Sequence, residues 1–265
     1  MWKSVRSAVV VVGVALAALV MPAGLSSAAA GQSPGGGIVS IGPASGAVVG
    51  VAHPVVVTFS APVLDRRAAE RTVPVRTTPA MTGSYQWAGD DELHWVPDHY
   101  WPAHSTVALS VGKRTADFKT GPQVVGVANL SAHTFTVTVD GEEAGPLPAP
   151  HHRPHWGEDG VLPATMGKTE FPTPVGRYSV LAKDRKVLMD SSSVGIPVDD
   201  PEGYHFEVEQ AVRISRRGLY VHSAPWALRS LGVENVSHGC VGLSPTDAEW
   251  YFDRVNVGDP VIIEQ

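Results

Sequence analysis

Between Ile38 and Gly121 apolar and polar positions alternate in short bursts separated by turn residues. Pro54–Ser60 is rich in β-branched side chains, and Ser84–Trp87, Glu92–Val96 and Thr106–Val111 alternate apolar and polar; Gly83, Gly89-Asp90-Asp91 and Pro97-Asp98 punctuate them. A period of two over a few residues builds a half-buried strand, and evenly spaced short strands predict an immunoglobulin-like sandwich. Trp87 and Trp95 are expected to pack within it. Gly121-Pro122 interrupts the pattern, after which Val124–Leu130 and Thr134–Val139 read as strands followed by the turn signal Asp140-Gly141. Beyond a Pro- and His-rich loop, Gly145–Trp156, further strands are predicted at Gly176–Ala182, Val187–Met189, Val212–Ser215, Leu219–His222 and Pro260–Glu264.

One helix is well signalled. Ser244 suits an N-cap, Pro245 the first helical position and Asp247 a capping box, with Trp250, Tyr251 and Val255 giving an apolar face. A second short helix is expected around Pro225–Leu231. The expected organisation is therefore mainly β: a targeting segment over 1–30, a Gly-rich linker over 31–37, an immunoglobulin-like β-sandwich over 38–121, and a second β-sandwich over 122–265 with a late helix.

The targeting segment is read from Lys3 and Arg6, the apolar run Ala8–Met21, the breakers Pro22 and Gly24, and the small residues Ser26–Ala30. That is the layout of a secretory signal peptide with cleavage after Ala28 or Ala30; an uncleaved anchor is the alternative. Both place the working part of the protein outside the cytoplasmic membrane, in the periplasm or cell wall. Composition narrows the partners. Acidic residues number 26 against 20 basic ones, a net charge of −6, and no Lys/Arg stripe occurs, so the electrostatic footprint of nucleic-acid binding is missing. The 27 glycines and 22 prolines favour strands and turns over long helices.

The chain has a single cysteine, Cys240, in Ser237-His238-Gly239-Cys240. One thiol makes no disulfide within a chain and a poor zinc site. A core thiol and an intermolecular partner remain as alternatives to a nucleophile. A thiol beside Gly239, near His238 and His222 and upstream of a helix N-terminus favours the nucleophile, because imidazolium and helix dipole both stabilise thiolate. Gly239 lets successive backbone N–H groups converge on an oxyanion, and Ser223 stands beside His222 to orient a catalytic imidazole.

The run His222-Ser223-Ala224-Pro225-Trp226, followed by Asn235-Val236-Ser237-His238-Gly239-Cys240-Val241-Gly242-Leu243-Ser244-Pro245, resembles the signature of the L,D-transpeptidases, bacterial cell-wall enzymes with a YkuD-type catalytic domain. The likeness extends back through Met166-Gly167-Lys168 and Phe171–Tyr178 and forward to Gly258–Val261; the preceding immunoglobulin-like segment resembles the layout of actinobacterial members. The resemblance implies a reaction between peptidoglycan stem peptides. The bond after a third-position diaminopimelate is attacked, D-Ala leaves, and a neighbouring diaminopimelate amine resolves the thioester into a cross-link. It implies Cys240 as nucleophile, His222 as base and then acid, Ser223 as its orienter through the backbone oxygen, and the N–H groups of His238, Gly239 and Cys240 as oxyanion hole. Tyr204 is similar to a lid tyrosine over the donor pocket and Met189 to a pocket-wall residue, while Arg217 and Gly218 match positions contacting peptide or β-lactam. Carbapenems are the implied covalent inhibitors.

The family pattern has Asn two positions after the cysteine, where this chain has Gly242, and Arg217 replaces an often small polar residue. A missing amide at 242 bears on substrate affinity or acylation rate. Hydrolysis of the same thioester, an L,D-carboxypeptidase activity, and a weakly active wall-binding module are the alternatives. His151-His152-Arg153-Pro154-His155 is read as a solvated loop and Asp199-Asp200 with Glu202 as a polar lid turn, so no metal and no cofactor are expected.

Overall fold

The computed structural model describes residues 36–148 and 158–265. The targeting segment, most of the linker and the His151–His155 cluster lie outside the described residues. Eight strands and a short helix make up the first half: β1 (Ile38–Gly42), β2 (Val48–Val49), β3 (Val55–Phe59), α1 (Arg66–Thr72), β4 (Val75–Thr78), β5 (Gly83–Trp87), β6 (Glu92–Pro97), β7 (Thr106–Val111) and β8 (Arg114–Thr120). They form two four-stranded sheets, ordered β1-β3-β6-β5 and β2-β8-β7-β4. Alternation in the sequence becomes alternation in burial: Val55, Val57 and Phe59 point inward from β3, and Val107, Leu109 and Val111 from β7. Between the sheets Trp101 meets Trp95 at 6.0 Å and Phe118 edge-on at 5.6 Å. Trp87 stacks on Phe59, and its indole N–H donates to Glu70 at 2.7 Å, so both predicted tryptophans serve packing. Helix α1 was not predicted; Asp65 caps it by accepting from the Ala68 N–H.

The second half contains β9 (Val124–Asn129), β10 (Thr134–Val139), β11 (Glu142–Glu143), β12 (Val161–Pro163), β13 (Gly176–Ser179), β14 (Ala182–Asp190), β15 (His205–Arg213), β16 (Tyr220–Ser223), β17 (Val241–Leu243), α2 (Pro245–Arg254) and β18 (Pro260–Glu264). One sheet runs β11-β10-β9-β18-β13, with β12 also on β10, and the other β14-β15-β16-β17. Asp140 and Gly141, both at positive φ, make the expected tight turn between β10 and β11. Helix α2 starts as its signals required: the Ser244 hydroxyl accepts from the Asp247 N–H at 3.1 Å and donates to the Asp247 carboxylate at 2.7 Å. Its Trp250, Tyr251 and Phe252 are buried, and Tyr251 packs edge-on against Phe135 at 4.8 Å.

Three expectations are corrected. Val187–Met189 is not a separate strand but part of nine-residue β14. Likewise Val212 and Arg213 end the nine-residue β15, which begins at His205. The expected helix at Pro225–Leu231 is a single 3₁₀ turn, Pro225–Ala227. The two strand corrections follow from packing: β14 and β15 pair end to end as a ribbon, which extends strand beyond the segments expected.

The described residues form one compact unit, because a seam of hydrogen bonds joins the two sandwiches. Gly50 N–H donates to Val257 O and Ala52 N–H to Gly258 O, each at 2.8 Å, and Asp259 Oδ1 accepts from Val51 N–H at 3.3 Å. His104 meets Asp140 at 2.9 Å, and Arg216 pairs with Glu92 at 2.5 Å. The first sandwich thus braces the turn before β16.

Candidate active site

Strands β16 and β17 run parallel, with Val221 opposite Val241 and His222 opposite Gly242. Side chains alternate along a strand, so His222 and Cys240, two residues before Gly242, project from the same face of the sheet. Both line one cavity of about 640 Å³, together with Met189, Tyr204, Arg217, Gly218, His238, Gly239 and Gly242. Ser223 points to the buried side, but its carbonyl accepts from His222 Nδ1 at 2.8 Å. A carbonyl only accepts, so Nδ1 carries the proton and Nε2 keeps its lone pair. Residues placed far apart in sequence are therefore gathered by one strand pairing.

The electrostatics differ from the expectation of a resting thiolate. Helix α2 begins five residues after Cys240, with the whole of β17 between them, so the helix does not start at the thiol. Cys240 keeps some surface on the cavity, yet protein crowds the sulfur, and this burial pushes the thiol up to about 11; a backbone hydrogen bond at Tyr220 works in the opposite direction. The thiol rests on Gly218 O at 3.7 Å. Burial likewise holds His222 below the ordinary imidazole value of 6.5, against the raising effect of its bond to Ser223. Moving the proton from sulfur to imidazole before attack is thus uphill, because burial weakens the thiol as an acid and the imidazole as a base. The resting pair is neutral thiol and neutral imidazole.

The loop carrying the sulfur is held by hydroxyls. Ser237 Oγ donates to Cys240 O at 2.6 Å and accepts from Gly239 N–H at 3.0 Å. Thr173 Oγ1 donates to Gly239 O at 2.7 Å and accepts from Gly167 N–H at 2.7 Å. Gly239 adopts φ 124°, a conformation that side chains disfavour, which explains the glycine. Its N–H, assigned to the oxyanion hole by resemblance, is already bonded to Ser237 and must shift or share that bond to serve an oxyanion. Sequence reading gave Ser237 and Thr173 no role. The signal for Thr173 was a hydroxyl residue set between Pro172 and Pro174 beside the motif.

Among the three arginines of the turn before β16, two are structural. Arg213 donates to Ser215 O and Arg216 O, and Arg216 bonds Ala88 O and Glu92 of the first sandwich. Arg217 is exposed at the cavity and makes no hydrogen bond or ion pair among the described residues.

Gly242 is a forced choice here. It exchanges both backbone hydrogen bonds with Thr165, at 2.8 and 3.0 Å. A Cβ at 242 would lie 3.0 Å from Ala224 Cβ and 3.0 Å from Thr165 Cγ2. The family asparagine is therefore not a simple gain for this chain. Gly242→Asn is expected to destabilise by about 1–3 kcal/mol and to slow acylation. Adding Thr165→Ser, which removes the crowding methyl and keeps the hydroxyl bonded to Glu234 O, should recover part of the loss in urea unfolding and in rate. A faster, equally stable Gly242→Asn single variant would contradict this reading.

A lone thiol and an Nδ1-protonated imidazole on neighbouring parallel strands, facing a half-open cavity, define a cysteine acyltransferase type of site. The chain matches the sequence models of the bacterial Ig domain over residues 36–117 and of the L,D-transpeptidase catalytic domain over residues 123–263. The protein belongs to the L,D-transpeptidase family. It is 62% identical over 264 residues to the probable L,D-transpeptidase 3 of Mycobacterium tuberculosis, covering 97% of each chain. Crystallographic L,D-transpeptidase 3 of M. tuberculosis, in complex with a faropenem-derived adduct, superposes with TM-score 0.83 at 65% identity over 86% of this chain and 98% of that one. The L,D-transpeptidase LdtMt1 in complex with imipenem gives TM-score 0.77 at 46% identity over 86% and 99%.

Proposed function

We propose that this protein cross-links peptidoglycan between third-position diaminopimelate residues, through a thioester on Cys240. The observation that carries the reading is the shared face of His222 and Cys240 on one cavity, with Nε2 of His222 bare. Cys240 Sγ attacks the carbonyl of the diaminopimelate–D-Ala bond while its proton passes to His222 Nε2. The tetrahedral oxyanion is held by backbone N–H groups of the Ser237–Cys240 loop. On collapse the C–N bond breaks, His222 returns the proton to the departing amine, and D-Ala leaves. An acceptor amine then attacks the thioester carbonyl and gives its proton to His222, which reprotonates the sulfur as it is expelled. Tyr204 and Met189 shape the donor pocket, Gly218 seats the thiol, and Arg217 is available to a substrate carboxylate.

A peptidoglycan substrate supports a location in the cell wall, outside the cytoplasmic membrane. Among the described residues no helix is long and apolar enough to cross a membrane. Incubation with a disaccharide tetrapeptide tests the activity: mass spectrometry should show a cross-linked dimer with release of one D-Ala per link. Release of D-Ala with tripeptide alone would replace cross-linking by carboxypeptidase hydrolysis.

A further inference from the structure

Three loops converge on one carboxylate at the edge of the cavity. Glu202 Oε2 accepts from Lys168 Nζ at 2.6 Å and from His238 Nε2 at 2.8 Å. Lys168 comes from the segment before β13, Glu202 from the turn between β14 and β15, and His238 from the loop that carries the nucleophile. The turn that delivers Glu202 is internally fixed: Asp200 Oδ1 accepts from Glu202 N–H at 2.9 Å, and Asp200 O accepts from Gly203 N–H at 2.8 Å. At its base Ser191, fully buried, accepts from Tyr204 N–H through Oγ and donates its own N–H to Tyr204 O, both at 3.0 Å. The His238 ring is also held on its faces, by Phe171 at 4.8 Å and Tyr204 at 5.1 Å between ring centres.

On the other side of His238, Ser237 and Gly239 have their polar groups tied to the Cys240 carbonyl and to Thr173. The position of residue 238 within that frame is set through its imidazole. We propose that Glu202 is a positioning residue for acyl transfer: clamped by Lys168, it fixes His238 and thereby the Ser237–Cys240 backbone that presents sulfur and N–H donors to the scissile carbonyl. The inference rests on the reading of Cys240 as nucleophile. A charge-assisted bond holds such a loop to the tolerance that reaction needs, since a misplacement of about 1 Å can cost 10²-fold in rate. Because Tyr204 follows two residues after Glu202, covering the donor and ordering the nucleophile loop occur as one event. The Lys168 and His238 bonds also hold the Glu202 carboxyl below its ordinary value, Lys168 contributing most.

The test uses the full chain and imipenem, with the limiting acylation rate and the apparent inhibitor constant separated by intact-mass time courses. Glu202→Ala is expected to lower the limiting rate by about tenfold or more, with the thermal midpoint nearly unchanged, because a half-exposed ion pair contributes little to stability. Glu202→Gln, whose amide oxygen can still accept from His238, should retain most of the rate. Glu202→Ala combined with His238→Ala should lose much less than the product of the two single losses, since both remove one bond. Wild-type rates in Glu202→Ala, equal losses in the Ala and Gln variants, multiplicative losses in the double variant, or a rate loss that follows a fall in midpoint would each overturn the proposal. A wild-type protein that forms no adduct would instead remove the nucleophile reading beneath it.

Discussion

Cys240→Ala is expected to form no covalent adduct with imipenem and no cross-linked product, while folding as well as the wild type. The loss should be complete because the reaction needs a covalent bond to sulfur and the chain has one thiol. Cys240→Ser tests the same point differently. It keeps the shape of the side chain but substitutes a far less acidic, less nucleophilic oxygen, and should retain well under ~1% of the rate. Stability should survive both changes, since a thiol is a weak donor and its contact to Gly218 O is long, at 3.7 Å. Thermal unfolding alongside intact mass checks the two halves of the prediction. An adduct on the alanine variant, located to any other residue, would end the cysteine mechanism.

His222→Gln is the second large loss, expected at about 10²–10⁴-fold in acylation rate, the range of a general base. The electrostatics give it a distinctive pH signature. In the wild type the imidazole is held below 6.5 and the thiol up at about 11, so between them the pair stays neutral and base-assisted attack is level. The sign follows from which form reacts. Acylation should rise with pH as His222 loses its proton, on the acid side of 6.5, and then stay flat through pH 9. His222→Gln has only free thiolate to use, so its rate should climb about tenfold per pH unit over pH 7–10. Wild-type acylation that also climbs tenfold per unit would show that His222 does not take the proton. Ser223→Ala supplies the contrast: it keeps the carbonyl that accepts from Nδ1 and should retain activity to within about threefold, whereas a base-like loss would mean the hydroxyl matters.

The pH dependence rests on burial, which is not legible in the order of residues. The order Ser237-His238-Gly239-Cys240 names a nucleophile, but it does not reveal that β17 intervenes before α2 or that the sulfur is buried. Thiolate stabilisation was inferred from proximity along the chain; the fold separates the helix end from the thiol. Glu202 had no local signal at all. Its partners lie 34 and 36 residues away, and in isolation it reads as one acid in a polar turn. Gly242 looked like a missing functional amide until the packing of Ala224 and Thr165 around it became visible.

The sequence by itself determined the elements whose signals are local: the strands β3, β6, β7 and β10, the tight turn at Asp140-Gly141 and the Ser244 cap of α2; it also singled out Cys240 and His222 as the candidate pair. Periodicity, turn chemistry and capping act over a few residues, so they can be read from a few residues. Tertiary structure alone decided the burial that raises the Cys240 thiol and depresses His222, the hydroxyl frame made by Thr173 and Ser237, the clamp of Glu202 on His238, and the seam that braces the Arg216 turn. Each of these depends on desolvation or on a partner distant in sequence, and both exist only once the chain has packed.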